Sequence, residues 1–244
     1  MKIKKGSRVL LVGNKNYLVT VEKRQFSTEY GNFDLGELVG KSYGIGISTH
    51  MGKKFHAIGA RTPDLLRKIK RMPQVIMKKD AGVIASYTGL NKEDFVVEAG
   101  TGSGALTIFL AGIVKKVVSY EKREEFQKVA KGNLEKCGIR NVRLKLGDVE
   151  EGIKEKDADV VVLDLGAPER AIPHARKALK PGGFLVVYSP VVEQVTRIRD
   201  VMEGFADIET VEIIKREWDV GNNKTRPRTR MLGHTAFLTF ARKT

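Results

Sequence analysis

Between residues 95 and 190 five short apolar runs recur in order: FVVEAG, KVVSYE, VRLKLGD, DVVVLDL and FLVVYSP. Each is rich in β-branched residues, and helical patterns fall between most of them, at Ala105–Ile113, Glu124–Cys137 (closed by Gly138) and Glu169–Leu179. Strands that alternate with helices read as parallel strands joined by crossovers, in a sheet whose two faces are both covered. A helix at 81–90 leads into the first run, and a helix at 191–204 and the strand IETVEII continue the pattern. The last run, TAFLTFAR, is a strand whose partner the sequence leaves open. No internal repeat or low-complexity tract interrupts this order.

The first 60 residues read differently. SRVLLV, YLVTVEK, GIGIST and KFHAIGA are short β-rich runs punctuated by glycine-containing turns, which predicts a small all-β barrel or sandwich. Pro63 then opens a helix, with Thr62 as its cap, an apolar stripe of Leu65, Leu66 and Ile69, and a basic face of Arg67, Lys68, Lys70 and Arg71. The expected organisation is an N-terminal β domain over 1–61, a helical linker over 62–79 and an α/β domain over 80–244.

Charge is unevenly spread along the 244 residues. Residues 1–79 hold 17 Lys+Arg against 5 Asp+Glu, a net of +12 out of the chain's +15. A polyanionic partner is the natural inference, because each neutralised phosphate releases condensed counterions. The single cysteine, Cys137, excludes an internal disulfide framework and a cysteine-based zinc site, and fits a reducing cytoplasm. His50, His56, His174 and His234 show no metal-ligand spacing, so no metal is expected, and no apolar run is long enough to span a bilayer.

The first strand of the α/β region runs directly into a glycine loop, VVEAGTGSG at 96–104. Such a loop at the first strand–helix junction places a ligand at the C-terminal edge of the sheet. The spacing is GxGxG rather than the GxGxxG of a dinucleotide fingerprint. Three acidic positions sharpen the reading. Glu98 precedes the first glycine by two residues, where it would oppose a pyrophosphate and suit a cofactor that carries positive charge. Glu121 ends the second strand, where a carboxylate can accept from both hydroxyls of a ribose. Asp148 follows the third strand and can accept from an adenine amine. Each alone reads equally well as a helix cap; three at successive strand ends on one edge do not.

VVEAGTGSG, SYE, LGD and LKPGGFLVVYSP, in this order, resemble the successive motifs of class I S-adenosylmethionine (SAM)-dependent methyltransferases over roughly residues 80–244. The resemblance implies a Rossmann-like methyltransferase sheet and SAM as cofactor. It sets the methionine part of SAM near Gly100, Gly102, Ser103, Gly104, Ala105 and Leu106. It sets the ribose at Glu121 and the adenine near Asp148 and Val149, with Phe126 at a further contact position.

The likeness extends over nearly the whole chain. EYGNFDLGELVGKSYGIGISTHMGKKFHAIG (29–59), RMPQVIMKKDAG (71–82), YSP at 188–190 with EQV at 193–195, and GHT at 233–235 resemble the tRNA (adenine-N1)-methyltransferases that modify the T loop. The family carry-over makes Ile76 a cofactor contact, through the segment 74–76, and Asp164 the catalytic residue beside SAM. The chemistry supports that placement: adenine N1 is an unprotonated nucleophile at neutral pH, so alignment dominates. A carboxylate accepting from the N6 amine orients N1 and stabilises the charge that develops on the ring. For the substrate, Tyr188, His234 and the cationic run 224–230, with Arg226, Arg228 and Arg230, are the candidates. The resemblance also implies tRNA as partner, position 58 (with 57 as a second target) and a homotetramer. The chain departs from the family at Glu169, where Pro-Trp is common, and at Met77-Lys78, where Tyr-Pro is common, which leaves the substrate pocket's details open. A non-catalytic RNA-binding subunit and a SAM-dependent enzyme acting on another substrate stand as alternatives; the first should show an eroded cofactor loop.

Overall fold

The structure is a computed structural model that describes residues 1–73, 75–221 and 224–244. The chain divides into two compact units, Met1–Ile69 and Lys70–Thr244.

In the first unit, β1 (Arg8–Val12), β2 (Tyr17–Thr20), β3 (Gln25–Thr28), β4 (Gly31–Asp34), β5 (Ile45–Ser48) and β6 (Lys54–Gly59) form two antiparallel sheets. One has the order β2-β1-β6-β5 and the other is the β3–β4 ribbon. Alternate residues Val9, Leu11, Phe55 and Ala57 point into one core, which Phe33, Leu35 and Leu38 complete. Tyr17, Phe26, Phe33 and Phe55 meet there at ring separations of 5.7–6.0 Å. The β3–β4 ribbon is an addition to the four strands legible in the sequence.

The helix opened by Pro63 is shorter than its sequence pattern. It is α1, Thr62–Leu66, and Arg61 rather than Thr62 occupies the cap position, where the Asp64 carboxylate accepts from the Arg61 amide (3.0 Å). Past Leu66 the Lys68 amide donates to the Leu65 carbonyl (2.9 Å), and the like charges of Arg67, Lys70 and Arg71, three and four residues apart, do not favour extending so short a helix.

The second unit runs α2 (Lys78–Thr88), β7 (Phe95–Ala99), α3 (Ala105–Ala111), β8 (Lys116–Glu121), α4 (Glu124–Lys136), β9 (Val142–Leu146), β10 (Ala158–Leu163), α5 (Pro168–Ala178), β11 (Leu179–Ser189), α6 (Val192–Arg199), β12 (Phe205–Glu212), β13 (Trp218–Val220), β14 (Thr225–Pro227) and β15 (Phe237–Lys243). Seven strands form one sheet in the order β12-β15-β11-β10-β7-β8-β9. β11, β10, β7, β8 and β9 are parallel. β15, whose partner the sequence left open, lies between β11 and β12 and is antiparallel to both, so the sheet is mixed. The period of two sorts the core: Val97, Val161, Leu163, Leu185 and Val187 face one side with α5 and α6, while Val96, Val160, Val162, Val186 and Tyr188 face the other with α2 and α3. Among the described residues no helix is long and apolar enough to cross a membrane.

Candidate active site

The chain leaves β7 toward β8 on one side and later returns to place β10 on the other. The strand order therefore reverses at β7, and a crevice outside the carboxyl ends of β7 and β10 is the expected result. A cleft of about 710 Å³ lies there. The glycine loop forms one wall. Gly100, at φ +92°, has no room for a side chain: a Cβ would overlap the carbonyl oxygen of Asp164 and sit 3.0 Å from the carbonyl carbon. The Asp164 amide in turn donates to the Ala99 carbonyl (2.9 Å), so β7 and β10 deliver their C-terminal residues to one point. Gly104, left-handed at φ +77°, starts α3 and packs on Ala130 of α4.

Four carboxylates come together from four strand ends. Glu98, on β7, is 1% exposed and accepts from the Thr107 hydroxyl (2.6 Å); burial pushes its carboxyl up to about 7. Asp164, just after β10, is also raised to about 7, by burial and then by the charge of Glu121. Glu121, at the end of β8, is 3% exposed and accepts from the Gly102 amide (2.9 Å) and from the amide and side chain of Arg123 (3.1 and 3.3 Å). Asp148 is more open; its Oδ1 accepts from the Glu150 amide (3.0 Å) and its Oδ2 pairs with Lys122 (3.5 Å). All four line the cleft.

Ile76, Ser103, Ala105, Leu106, Phe126 and Val149 line it too. Gly104 supports the wall from behind, and Gln74 lies outside the described residues. The lining also holds residues that the sequence did not assign to the site, among them Arg123, whose guanidinium stacks 3.5 Å above the Phe126 ring, Arg170, and Gln194 of the EQV run. Arg123 stands two residues after the strand-end acid Glu121, a signal that could have found it; Arg170 and Gln194 reach the cleft only through the packing of α5 and α6.

The substrate candidates stand apart from this wall. Tyr188, at the end of β11, is buried beside Asp80 and Asp164, and burial pushes its hydroxyl up to about 12. Asp80 is fully buried and is held by Lys79 (2.6 Å) and Thr235 (3.0 Å). His234 is half-exposed; its ring bonds Glu212 (2.5 Å) and the carbonyl of the cleft residue Pro190 (2.8 Å), and Glu212 raises its pKa. The run 224–230 was read as a loop of four cations without acids, but it forms part of a hairpin, β13–β14, that brings acids to it. Arg228 is paired with Glu217 (2.8 Å) and Asp219 (2.9 Å), whereas Arg226 and Arg230 are exposed with no salt bridge among the described residues. Glu169 and Met77, the two departures, do not line the cleft; Glu169 pairs with Arg197 across α5 and α6 (3.1 Å). No group of three His, Cys, Asp or Glu side chains among the described residues could hold a metal.

The wall fits a cationic adenosyl cofactor on its own terms. Five carboxylates (Glu98, Glu121, Asp148, Glu150 and Asp164) line the cleft against three cations (Lys122, Arg123 and Arg170), each paired with one of them, and the Ser103 hydroxyl is buried without a hydrogen-bond partner among the described residues. A pyrophosphate at the loop would meet Glu98 and Glu121, while the lining cations Lys122, Arg123 and Arg170 are already paired with carboxylates.

Comparison with known proteins agrees with this architecture. The tRNA (adenine(57)-N(1)/adenine(58)-N(1))-methyltransferase TrmI of Methanocaldococcus jannaschii is 38% identical over 93% of this chain and 91% of its own length. Among solved structures, a SAM-dependent O-methyltransferase from Thermotoga maritima superposes with a TM-score of 0.83 at 36% identity, covering 100% of this chain and 95% of that one. The tRNA (m1A58) methyltransferase TrmI of Aquifex aeolicus gives 0.77 at 30% identity, covering 100% and 99%. The family model described as tRNA methyltransferase complex GCD14 subunit matches residues 54–226, most of the chain, and the chain belongs to that family.

Proposed function

We propose that this protein transfers a methyl group from SAM to N1 of adenosine 58 in the tRNA T loop, with adenosine 57 as a second target. The observation that carries the reading is the meeting of Glu98, Glu121, Asp148 and Asp164 around one glycine-walled cleft. An intact cofactor loop of this kind argues against a non-catalytic subunit.

When bound, SAM supplies an electrophilic methyl on a sulfonium, with a neutral thioether as leaving group. The glycine loop from Gly100 to Gly104, with Ser103, Ala105 and Leu106, would hold its methionine end, and Ile76 would close over it. Glu98 supplies negative charge beneath a cationic ligand. Glu121 would accept from the ribose hydroxyls, and Asp148, Val149 and Phe126 would hold the adenine. Asp164 accepts from the N6 amine of the target base, which aims N1 and stabilises the positive charge that N1-alkylation creates. Tyr188 and His234 border the acceptor side. The target base must leave its stack to reach the cleft, and the basic first unit, with Arg226, Arg228 and Arg230, would hold tRNA phosphates meanwhile.

The same reading makes the working form a cytoplasmic homotetramer without a metal. Exposed Ile214, Trp218, Val220, Met231 and Leu232 supply apolar surface for such an assembly. Sedimentation measures it, and a monomer would exclude it. The decisive experiment is methylation of a tRNA transcript followed by mapping of the modified nucleoside. 1-Methyladenosine at 58 supports the proposal; methylation only of small-molecule or protein hydroxyls and carboxylates would replace it with the activity named for the Thermotoga maritima relative.

A further inference from the structure

Gln194 lies in the first turn of α6 and is 6% exposed. Its amide nitrogen donates to two backbone carbonyls, those of Leu165 (3.2 Å) and Gly166 (2.9 Å), in the segment directly after Asp164. Those two carbonyls fix the orientation of the side chain, because a turned amide would set its oxygen against both. The oxygen, Oε1, is buried and has no hydrogen-bond partner among the described residues. Gln194 lines the same cleft as Asp164, Gly166 and Pro190.

A buried amide oxygen left unpaired is costly, and its only use is to accept an N–H or O–H. The exocyclic amine of adenine carries two hydrogens beside N1. One acceptor, Asp164, leaves the second hydrogen unassigned, and Gln194 is tied by two hydrogen bonds to the segment that carries Asp164. We propose that Gln194 Oε1 accepts the second N–H of the target amine and is a specificity-determining residue of the acceptor site. The inference rests on the reading of the cleft as an adenine N1-methylation site. With Asp164 and Gln194 both acceptors, a 6-oxo purine would face two lone-pair-bearing oxygens with a third, so the pair admits an amine and refuses an oxo group. Gln194 also braces the segment through its nitrogen, and the two roles belong to opposite ends of one side chain.

The test compares tRNA transcripts carrying adenosine or purine riboside at the target position. Purine riboside keeps N1 and lacks the amine. The full-length wild type and Gln194→Met are assayed for kcat/KM on both, and SAM affinity is measured by calorimetry. The wild type should prefer adenosine, and that preference should shrink about tenfold in Gln194→Met, because one amine contact fewer remains to be lost. SAM affinity should change less than about twofold, since the contact belongs to the acceptor. An adenosine preference identical in both proteins would overturn the proposal and leave Gln194 only its bracing role. A wild type indifferent to the amine overturns it without any variant, which keeps the test open should Gln194→Met fail to fold. A wild type that methylates neither transcript refutes the underlying adenine reading instead, and the two failures are told apart by that result.

Discussion

Gly100 and Asp164 approach so closely that the space of a Cβ on the glycine is already filled by the aspartate's carbonyl oxygen. The contact joins the cofactor loop to the residue proposed to hold the target base. Gly100→Ala therefore has to push β10's end away from β7's, at a backbone φ of +92° that an L side chain also resists. Gly102 offers the control: its φ is +53°, but the nearest atom to a Cβ is 3.9 Å away. Gly102→Ala should cost about 1 kcal/mol, the left-handed penalty alone, which is roughly 2–4 °C in Tm for a chain of this size. Gly100→Ala should cost several times that and abolish SAM binding, read by thermal melts and calorimetry.

Asp164→Asn separates orientation from charge. The amide retains an acceptor oxygen but loses the anion that would balance a cationic transition state. Turnover should fall by about 10²–10³, the scale for losing one preorganised electrostatic group, while tRNA affinity stays within a few-fold. The same variant should melt higher than wild type at pH 8 without ligand, because it removes a partly buried charge that faces Glu121. Unchanged turnover in a nucleoside assay would remove Asp164 from the mechanism.

The two raised carboxyls give the protein a pH signature. Glu98 and Asp164 titrate near 7 when folded, above their ordinary values of 4.5 and 3.8. Between those limits the folded chain binds more protons than the unfolded one, so stability falls as pH rises from about 4 through 7 and then levels. Melting of the ligand-free protein from pH 5 to pH 8 should show that fall once compared with Glu98→Gln. Bound sulfonium favours the anions and should offset it. Because only ionised Asp164 balances the positive charge that develops on the ring, kcat/KM for SAM should rise through about pH 7, and kcat at saturating SAM should rise at lower pH.

Three exposed lysines open the chain, at Lys2, Lys4 and Lys5. If they meet tRNA phosphates, replacing all three with alanine lowers the magnitude of the salt slope of binding by up to about 3 and leaves SAM affinity unchanged. Filter binding across a salt series reads the slope.

The sheet and the loop were legible because both rest on local pattern. Val96 and Val97 each face a covered side of the sheet, so the run is apolar throughout, and Gly100 marks a backbone approach that no other residue allows. β15 was visible as a strand, yet its place between β11 and β12 is a tertiary pairing that no spacing encodes. β3 escaped because Gln25 and Ser27 are exposed and leave too weak an alternation. In the cleft the acids showed at strand ends, a position that topology fixes. Arg170 did not, and Gln194 stood only within the EQV run with no sign that it faces the cleft, since α5 and α6 bring both in by packing and a charged or amide residue on a helix looks like any solvated one. Arg228 misled for the same reason: its partners, Glu217 and Asp219, approach only once the hairpin folds.

That pairing divides the three arginines of the C-terminal segment. Arg226 and Arg230 are exposed and make no salt bridge among the described residues, so either is free to meet a phosphate, whereas Arg228 already lies between two carboxylates. A cation in direct contact with phosphate contributes about one to the salt slope, and one held by its own acids contributes less, because those acids compete with the phosphate. Arg226→Ala and Arg230→Ala should each weaken tRNA binding uniformly across sequences and flatten the slope by about 1. Arg228→Ala should flatten it less while loosening the hairpin, seen as faster amide exchange at Asp219 and Arg226, the hydrogen-bonded pair of its ladder. Equal slopes for all three variants and the wild type would show that the tRNA backbone runs elsewhere, and would leave the basic first unit as its docking face.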